Sequence, residues 1–283
     1  MKRAFKFISF LFLLVILLSR IPLSAPQEEL PSGRQDLEFL EQKLFELVNQ
    51  ERIKRGLPAV SFSRDLSQLA REHSRDMASR ERISHASSDG RSYMERLVEA
   101  RFYFVAIGEN VAFSNKFEPE GIHKKLMDSS GHRENILDPA FDQVGIGVIL
   151  NKDKGYYVTQ DFRRAPVLRD TGQVTREIKR DINDLRRRSR LPSLYSSSDA
   201  DEYAHQCSKN MVENKSPPPM PDQFRAVQYH FITSPALEEI QSIYEDKVLE
   251  VRFNTVGLGV TFAQNEQYPG GCYFIALLLF PGI

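Results

Sequence analysis

Few residue types in this chain could do chemistry unaided, and their spacing excludes more than it offers. Six histidines and two cysteines are spread over 283 residues. No His-Glu-x-x-His run is present to hold a catalytic zinc ion. No Gly-x-Ser-x-Gly elbow or Cys–His pair supplies an activated nucleophile. Cys207 and Cys272 are too few for a disulfide scaffold or a four-cysteine zinc site. In an exported chain they could form one bridge, or remain two separate buried thiols, and both readings stay open. The basic run Arg186–Arg190 follows Ile178, Ile182 and Leu185 on one helix side. It reads as a solvated helix end, where positive charge is favourable. An anionic glycan or lipid contact is the alternative.

The elements that must position any site begin after a leader. Lys2, Arg3 and Lys6 precede the apolar stretch Ile8–Leu18, then Pro22 and the small pair Ser24-Ala25. This is the pattern of a secretory signal cleaved near Ala25. An uncleaved anchor is the alternative, but the stretch is shorter than the ~20 residues a span needs, and Arg20 ends it. Residues 1–25 carry four basic and no acidic side chains, so the remainder has net charge −4. With 41% apolar and 27% charged residues the chain can bury a core. Its 38 basic and 38 acidic residues give no excess that would favour nucleic acid. No internal apolar run is long enough for a membrane span.

Two stretches of the remainder repeat each other. At an offset of 134, Asn49, Arg52, Leu57, Pro58, Ser63, Ala70 and Ser74 recur as Asn183, Arg186, Leu191, Pro192, Ser197, Ala204 and Ser208. At an offset of 112, Phe141–Val148 recurs as Phe253–Val260. The change of offset means that the second copy lacks about 22 residues of the first. Leu37, Leu40, Leu44, Leu47 and Val48 fall at helical spacing, and Gly56 with Pro58 stops that helix. Ser63 is placed to cap a second helix with Leu66, Leu69, Ala70, His73 and Met77 on one face. Gly145–Leu150 and Tyr156–Phe162 read as strands joined by a polar turn. Helices first and antiparallel strands last indicate an α+β domain.

In order, the first copy carries LVNQERIKRGLPAV, His85 in ISHASSDG, Gly108-Glu109-Asn110-Val111, SSGHRENIL, FDQVGIGV and YYVTQDF. That series, over residues 37–163, resembles the bacterial branch of the CAP superfamily. This is the SCP domain of cysteine-rich secretory, antigen 5 and pathogenesis-related proteins. The resemblance implies an α-β-α sandwich, a central antiparallel sheet between helical layers, in two tandem copies. The second copy, about 170–283, resembles a degenerate CAP unit. The organisation expected is a signal over 1–25, a linker over 26–36, a CAP domain over 37–166 and the degenerate domain over 167–283.

The resemblance also implies a cleft lined by two histidines and two glutamates, which binds a divalent metal in some members. His85, Glu109 and His132 match three of these positions. The fourth falls on Ser129, and the usual preceding Trp is Leu126; Asp128 and Glu134 are nearby carboxylates off the matching position. Two imidazoles, a carboxylate and water suit Zn²⁺, which would lower the pKa of the bound water. The alternative is a His–Glu hydrogen bond that only fixes the loops. Asn110 and Asn135 read as hydrogen-bonding residues, Gly145 and Gly147 as close packing in a strand, His73 as core and His123 as solvated. In the second copy Tyr244 stands opposite His132, and Pro219, in a proline-rich connector, opposite His85. Cys207 matches His73, and Cys272, at the start of the last strand, matches Tyr156. The expectation is an exported, non-enzymatic binding module in the periplasm, at the cell surface or secreted. Its partner would be an extracellular protein, a lipid or a glycan, or its cleft would take a small apolar ligand. A metal-dependent hydrolase using His85, Glu109 and His132 is the alternative.

Overall fold

A computed structural model describes residues 33–281 apart from 225–226 and 239; the leader and most of the 26–36 linker lie outside the described residues. Helix α1 (Arg34–Lys54) buries Leu40, Leu44 and Val48 along one stripe. After the turn at Gly56 comes β1 (Ser61–Phe62), then α2 (Arg64–Ser79). The Ser63 hydroxyl accepts from Leu66 N (3.3 Å) and so caps α2. The half continues with α3 (Tyr93–Glu99), β2 (Ala106–Ser114), α4 (Pro119–Asp128), α5 (Ser130–Leu137), β3 (Gln143–Asn151) and β4 (Gly155–Arg164). Strand order is β1-β3-β4-β2. The three long strands are antiparallel, and the two-residue β1 joins the edge in parallel.

One face of this sheet is covered by α1, α4 and α5 through Leu44, Ile122, Leu126 and Ile136, packed on Ile146, Val148 and Val158. The other carries α2 and α3, through Leu66, Leu97 and Met77. Gly145 and Gly147 of β3 lie so close to the α2 backbone at Leu66–Ser67 and Ala70–Arg71 that a Cβ at either would collide. The α-β-α sandwich expected from the resemblance is present.

The second half is a sandwich of the same plan. It contains α6 (Thr171–Arg188), β5 (Tyr195–Ser196), α7 (Ser198–Val212), β6 (Gln228–Ser234), α8 (Ile240–Tyr244), a 3-10 turn (Glu245–Leu249), β7 (Phe253–Ala263) and β8 (Cys272–Pro281). Its strand order, β5-β7-β8-β6, repeats the first. Gly257 and Gly259 meet Ala200 and Ala204 of α7 as their counterparts meet α2. No counterpart of α3 is found among the described residues, while α8 and the 3-10 turn stand between β6 and β7 as α4 and α5 stand between β2 and β3; Met220 and Phe224 of the segment before β6 pack beside Tyr203 and Phe280.

Both halves are centred on a buried arginine. Arg52, fully enclosed, donates to the carbonyls of Pro58 (2.9 Å), Ile136 (3.0 Å), Asp138 (2.8 Å) and Phe141 (3.2 Å). Arg186 donates to those of Pro192 (2.7 Å), Val248 (2.7 Å), Glu250 (2.9 Å) and Phe253 (3.1 Å). A guanidinium has five donors in a fixed fork, so it can tie a helix, a turn and the strand entry together at once. Arg186 therefore does not belong to the solvated face expected of the Arg186–Arg190 run.

Two further expectations, for His123 and for the match of Cys272, change, and one open alternative, for the cysteines, is decided. His123 is buried on α4, because its face packs on α1, and neither ring nitrogen has a partner. Cys207 and Cys272 are separate buried thiols. Register aligns Cys272 with Gly155, since both pair across the hairpin at equivalent positions, and Tyr273 with Tyr156. Within the described residues no helix is long and apolar enough to cross a membrane.

Candidate functional site

The edge strand β2 places Glu109 midway along its length, opposite Asp161 on β4. Glu109 is 8% exposed, and both of its carboxylate oxygens are engaged. Oε1 accepts from His85 Nδ1 at 2.8 Å, and Oε2 pairs with the guanidinium of Arg96, itself 6% exposed on α3. The capping box of α3, between Ser92 and Glu95, fixes the start of the helix that delivers Arg96. Arg96 also donates to His85 O (2.9 Å), Ser87 Oγ (3.2 Å) and Arg91 O (3.2 Å). It thereby ties the loop that carries His85 to the buried carboxylate.

A carboxylate can only accept, so Nδ1 of His85 carries a hydrogen and Nε2 faces outward on a side chain 62% exposed. The hydrogen bond to Glu109 raises the His85 pKa above its ordinary value, against desolvation. His132, on α5, is half-buried; burial, and then the charge of His85, lower its pKa. The α5 backbone is held by Asn110, whose Nδ2 donates to His132 O (3.0 Å). Asn135 Nδ2 donates to Glu109 O (3.0 Å) and Asn110 Oδ1 (2.9 Å). The two asparagines hold the cleft walls together, as expected of them.

Three residues of this network escaped the sequence reading of the cleft. His73, read as a core residue, is buried, but its Nε2 donates to Ser84 O (2.8 Å) and lies 3.7 Å from Glu109 Oε2. Burial is the first cause of its lowered pKa. Arg96 lies in no motif. Asp161 was visible only as part of a strand; it is fully buried, and neither oxygen has a hydrogen-bond partner by geometry. Desolvation, and next the charge of Glu109, hold the Asp161 carboxyl well above the usual carboxylate range. Asp161 has a register signal: it pairs across the ladder with Glu109.

The positions near the missing fourth ligand do not repair it. Asp128 is exposed and bound to Lys124 (2.6 Å), Glu134 is exposed, and Ser129 sits at the joint of α4 and α5. Among the described residues no group of three His, Cys, Asp or Glu is arranged to hold a metal ion. Glu109 already has a guanidinium on one oxygen and an imidazole on the other, so a metal shared with His132 would compete with an ion pair and a hydrogen bond already made.

The fold and this histidine–glutamate cleft define a CAP-type sandwich. Residues 45–162 match the family described as CAP, the cysteine-rich secretory protein family. Over those residues the first half of this chain is similar to that family. The uncharacterized protein YkwD of Bacillus subtilis (strain 168) is 36% identical over 122 residues, 43% of this chain and 46% of that protein. The uncharacterized membrane protein YlbC of the same organism is 33% identical over 122 residues, 43% of this chain and 34% of its own. The chain thus spans less than half the length of either relative. Among solved structures, an extracellular SCP-domain protein from Bacillus anthracis (strain Ames) shares 28% identity, with a TM-score of 0.42, over 48% of this chain and 45% of that one.

Proposed function

We propose that this chain is an exported bacterial binding module without enzymatic activity. The reading keeps the signal over 1–25, the CAP domain over 37–166 and a degenerate second copy over 167–283 that arose by internal duplication. It is carried by one observation: both oxygens of Glu109 are committed, one to His85 and one to Arg96. A general base or a metal ligand must turn a lone pair to its proton or ion, and here that would compete with the ion pair to Arg96 and the hydrogen bond to His85. Glu109 instead fixes the tautomer of His85 and the loop behind it. What the cleft offers outward is the Nε2 edge of His85 beside His132, a polar surface suited to an extracellular macromolecule. A divalent ion there would meet two imidazoles and water, and so would be held weakly.

The test is calorimetric zinc titration of the secreted protein and of His85→Ala, with metal analysis of the protein as purified. The expected result is no stoichiometric zinc in either, and a melting temperature indifferent to chelator. One tightly held equivalent of zinc, lost in the variant, would overturn the reading and reinstate the hydrolase.

A further inference from the structure

The second half lacks every ionisable group of the cleft, yet it touches the segment on which that cleft depends. The tip of the β7–β8 hairpin, Gln264–Gly271, docks on residues 102–104 of the first half. Phe104 N donates to Gly270 O (2.8 Å). Gln264 Nε2 donates to Phe102 O (2.9 Å) and to Pro269 O of its own loop (2.7 Å). The Tyr103 and Phe262 rings meet edge to face with centroids 5.1 Å apart. Gly270 lies so close that a Cβ would strike the Phe104 carbonyl oxygen and sit 2.7 Å from its ring. These contacts include two hydrogen bonds to main-chain atoms, so they fix the path of the backbone as well as its side chains.

The docked residues are the joint between the two elements that build the site. Upstream, Phe102 N donates to Leu97 O (2.9 Å), closing α3 one turn after Arg96, with Arg101 in a left-handed conformation (φ 59°). Downstream, Val105 N donates to Arg164 O (2.8 Å), and β2 runs on in register to Glu109. On the first-half side, Arg163 braces the joint by donating to Tyr103 O (3.2 Å) and stacking over Phe102 (4.7 Å). Phe104 also belongs to the small core that seats α3, with Leu66, Leu69, Tyr93 and Leu97. A shift of residues 102–104 would therefore carry α3 and the start of β2 apart, and with them Arg96 from Glu109.

We infer that the second half serves as a built-in positioning element, whose hairpin, through Gln264 and Gly270, sets the spacing of Arg96 and Glu109 and so the orientation of His85. The inference concerns the geometry of the network and holds whatever the cleft binds. Gln264 and Gly270 are positioning residues; neither touches His85, Glu109 or Arg96.

The experiment uses the full secreted chain with Gln264→Ala and Gly270→Ala, read by amide hydrogen exchange and by the ¹⁵N spectrum of the His85 imidazole. In both variants, exchange over residues 101–109 should accelerate by about tenfold while peptides of α1 and α6 stay protected. The His85 tautomer should move from Nδ1–H toward the mixture of a free imidazole. Gln264→Ala inserts nothing bulky, and it decides the matter if Gly270→Ala does not fold. Faster exchange confined to the hairpin, with the His85 spectrum unchanged, would overturn the inference, as would unchanged exchange in Gln264→Ala. Zinc titration bears on the binding reading alone, so the two can fail separately.

Discussion

Glu109 on β2 and Tyr229 on β6 occupy the same place in two sheets of the same order. Glu109 faces Asp161 across the ladder, and Tyr229 faces Leu278. Around Glu109 lie His85, Arg96 and His73; around Tyr229 lie Tyr203, whose hydroxyl is 3.2 Å from that of Tyr229, and the connector carbonyl Pro218 O, 2.9 Å from Tyr203 Oη. Cys207 stands where His73 does. One half therefore keeps a buried ionic network at this point of the sheet, and the other fills it with aromatic rings and a thiol. The frame survives the exchange because it is held elsewhere, by the arginine cages, by strand glycines against a helix, and by Asn49 and Asn183, which bond Val60 and Leu194 in the same way. The site residues are not what makes the sandwich fold.

The largest effect should come from the shared frame. Arg52→Ala and Arg186→Ala each strand buried carbonyls, and each should cost about 4 kcal/mol in urea unfolding followed by circular dichroism. Unequal losses, with one below about 1 kcal/mol, would break the equivalence of the cages. Next is the site itself. Glu109→Gln leaves Arg96 buried without its counter-charge and should cost about 3 kcal/mol. Tyr229→Phe, at the matching place, should cost about 1 kcal/mol. In Glu109→Gln the His85 titration, followed by NMR, should fall, because the hydrogen bond that raises it is gone.

Asp161 gives a smaller, pH-dependent contrast with Leu278. Its folded pKa lies above the unfolded value of about 4. Its neutral form therefore stabilises the fold at acid pH, and that contribution fades as pH rises toward the folded pKa. Asp161→Asn should remove this slope, so wild type should lose ground to the variant as pH rises above the unfolded value, read in urea midpoints. A constant difference would mean that Asp161 is already ionised. The smallest effect concerns His123, whose pKa is lowered first by burial. A depressed histidine favours the fold above its unfolded pKa of about 6.5 and disfavours it as pH falls. His123→Leu should therefore gain about 1 kcal/mol through loss of an unpartnered group, and more in acid. Thermal melts at two pH values would show a loss instead if His123 had a partner.

Much of the frame was legible because it is local or periodic. Ser63 caps α2, the Leu40–Leu44–Val48 stripe packs inward, and the Gly145/Gly147 pair admits a helix, each as its sequence neighbours imply. His85 and Glu109 were legible only through a family motif, which named their positions but not their commitments. His123 misled because its neighbours in sequence are charged, while burial is decided by the helix face turned to α1. Arg96 carries no motif, and its partner is 13 residues away on another element.

The sequence by itself determined the two-part order, the helix and strand types and the candidate histidines, since propensity, capping and hydrophobic period act over a few residues. The tertiary structure alone decided that Glu109 is paired with His85 and Arg96 and that Asp161 is buried beside it with its pKa raised. It also brought a hairpin near residue 270 to bear on the joint at 102–104. Those outcomes depend on which groups are desolvated together, and chain distance does not encode that.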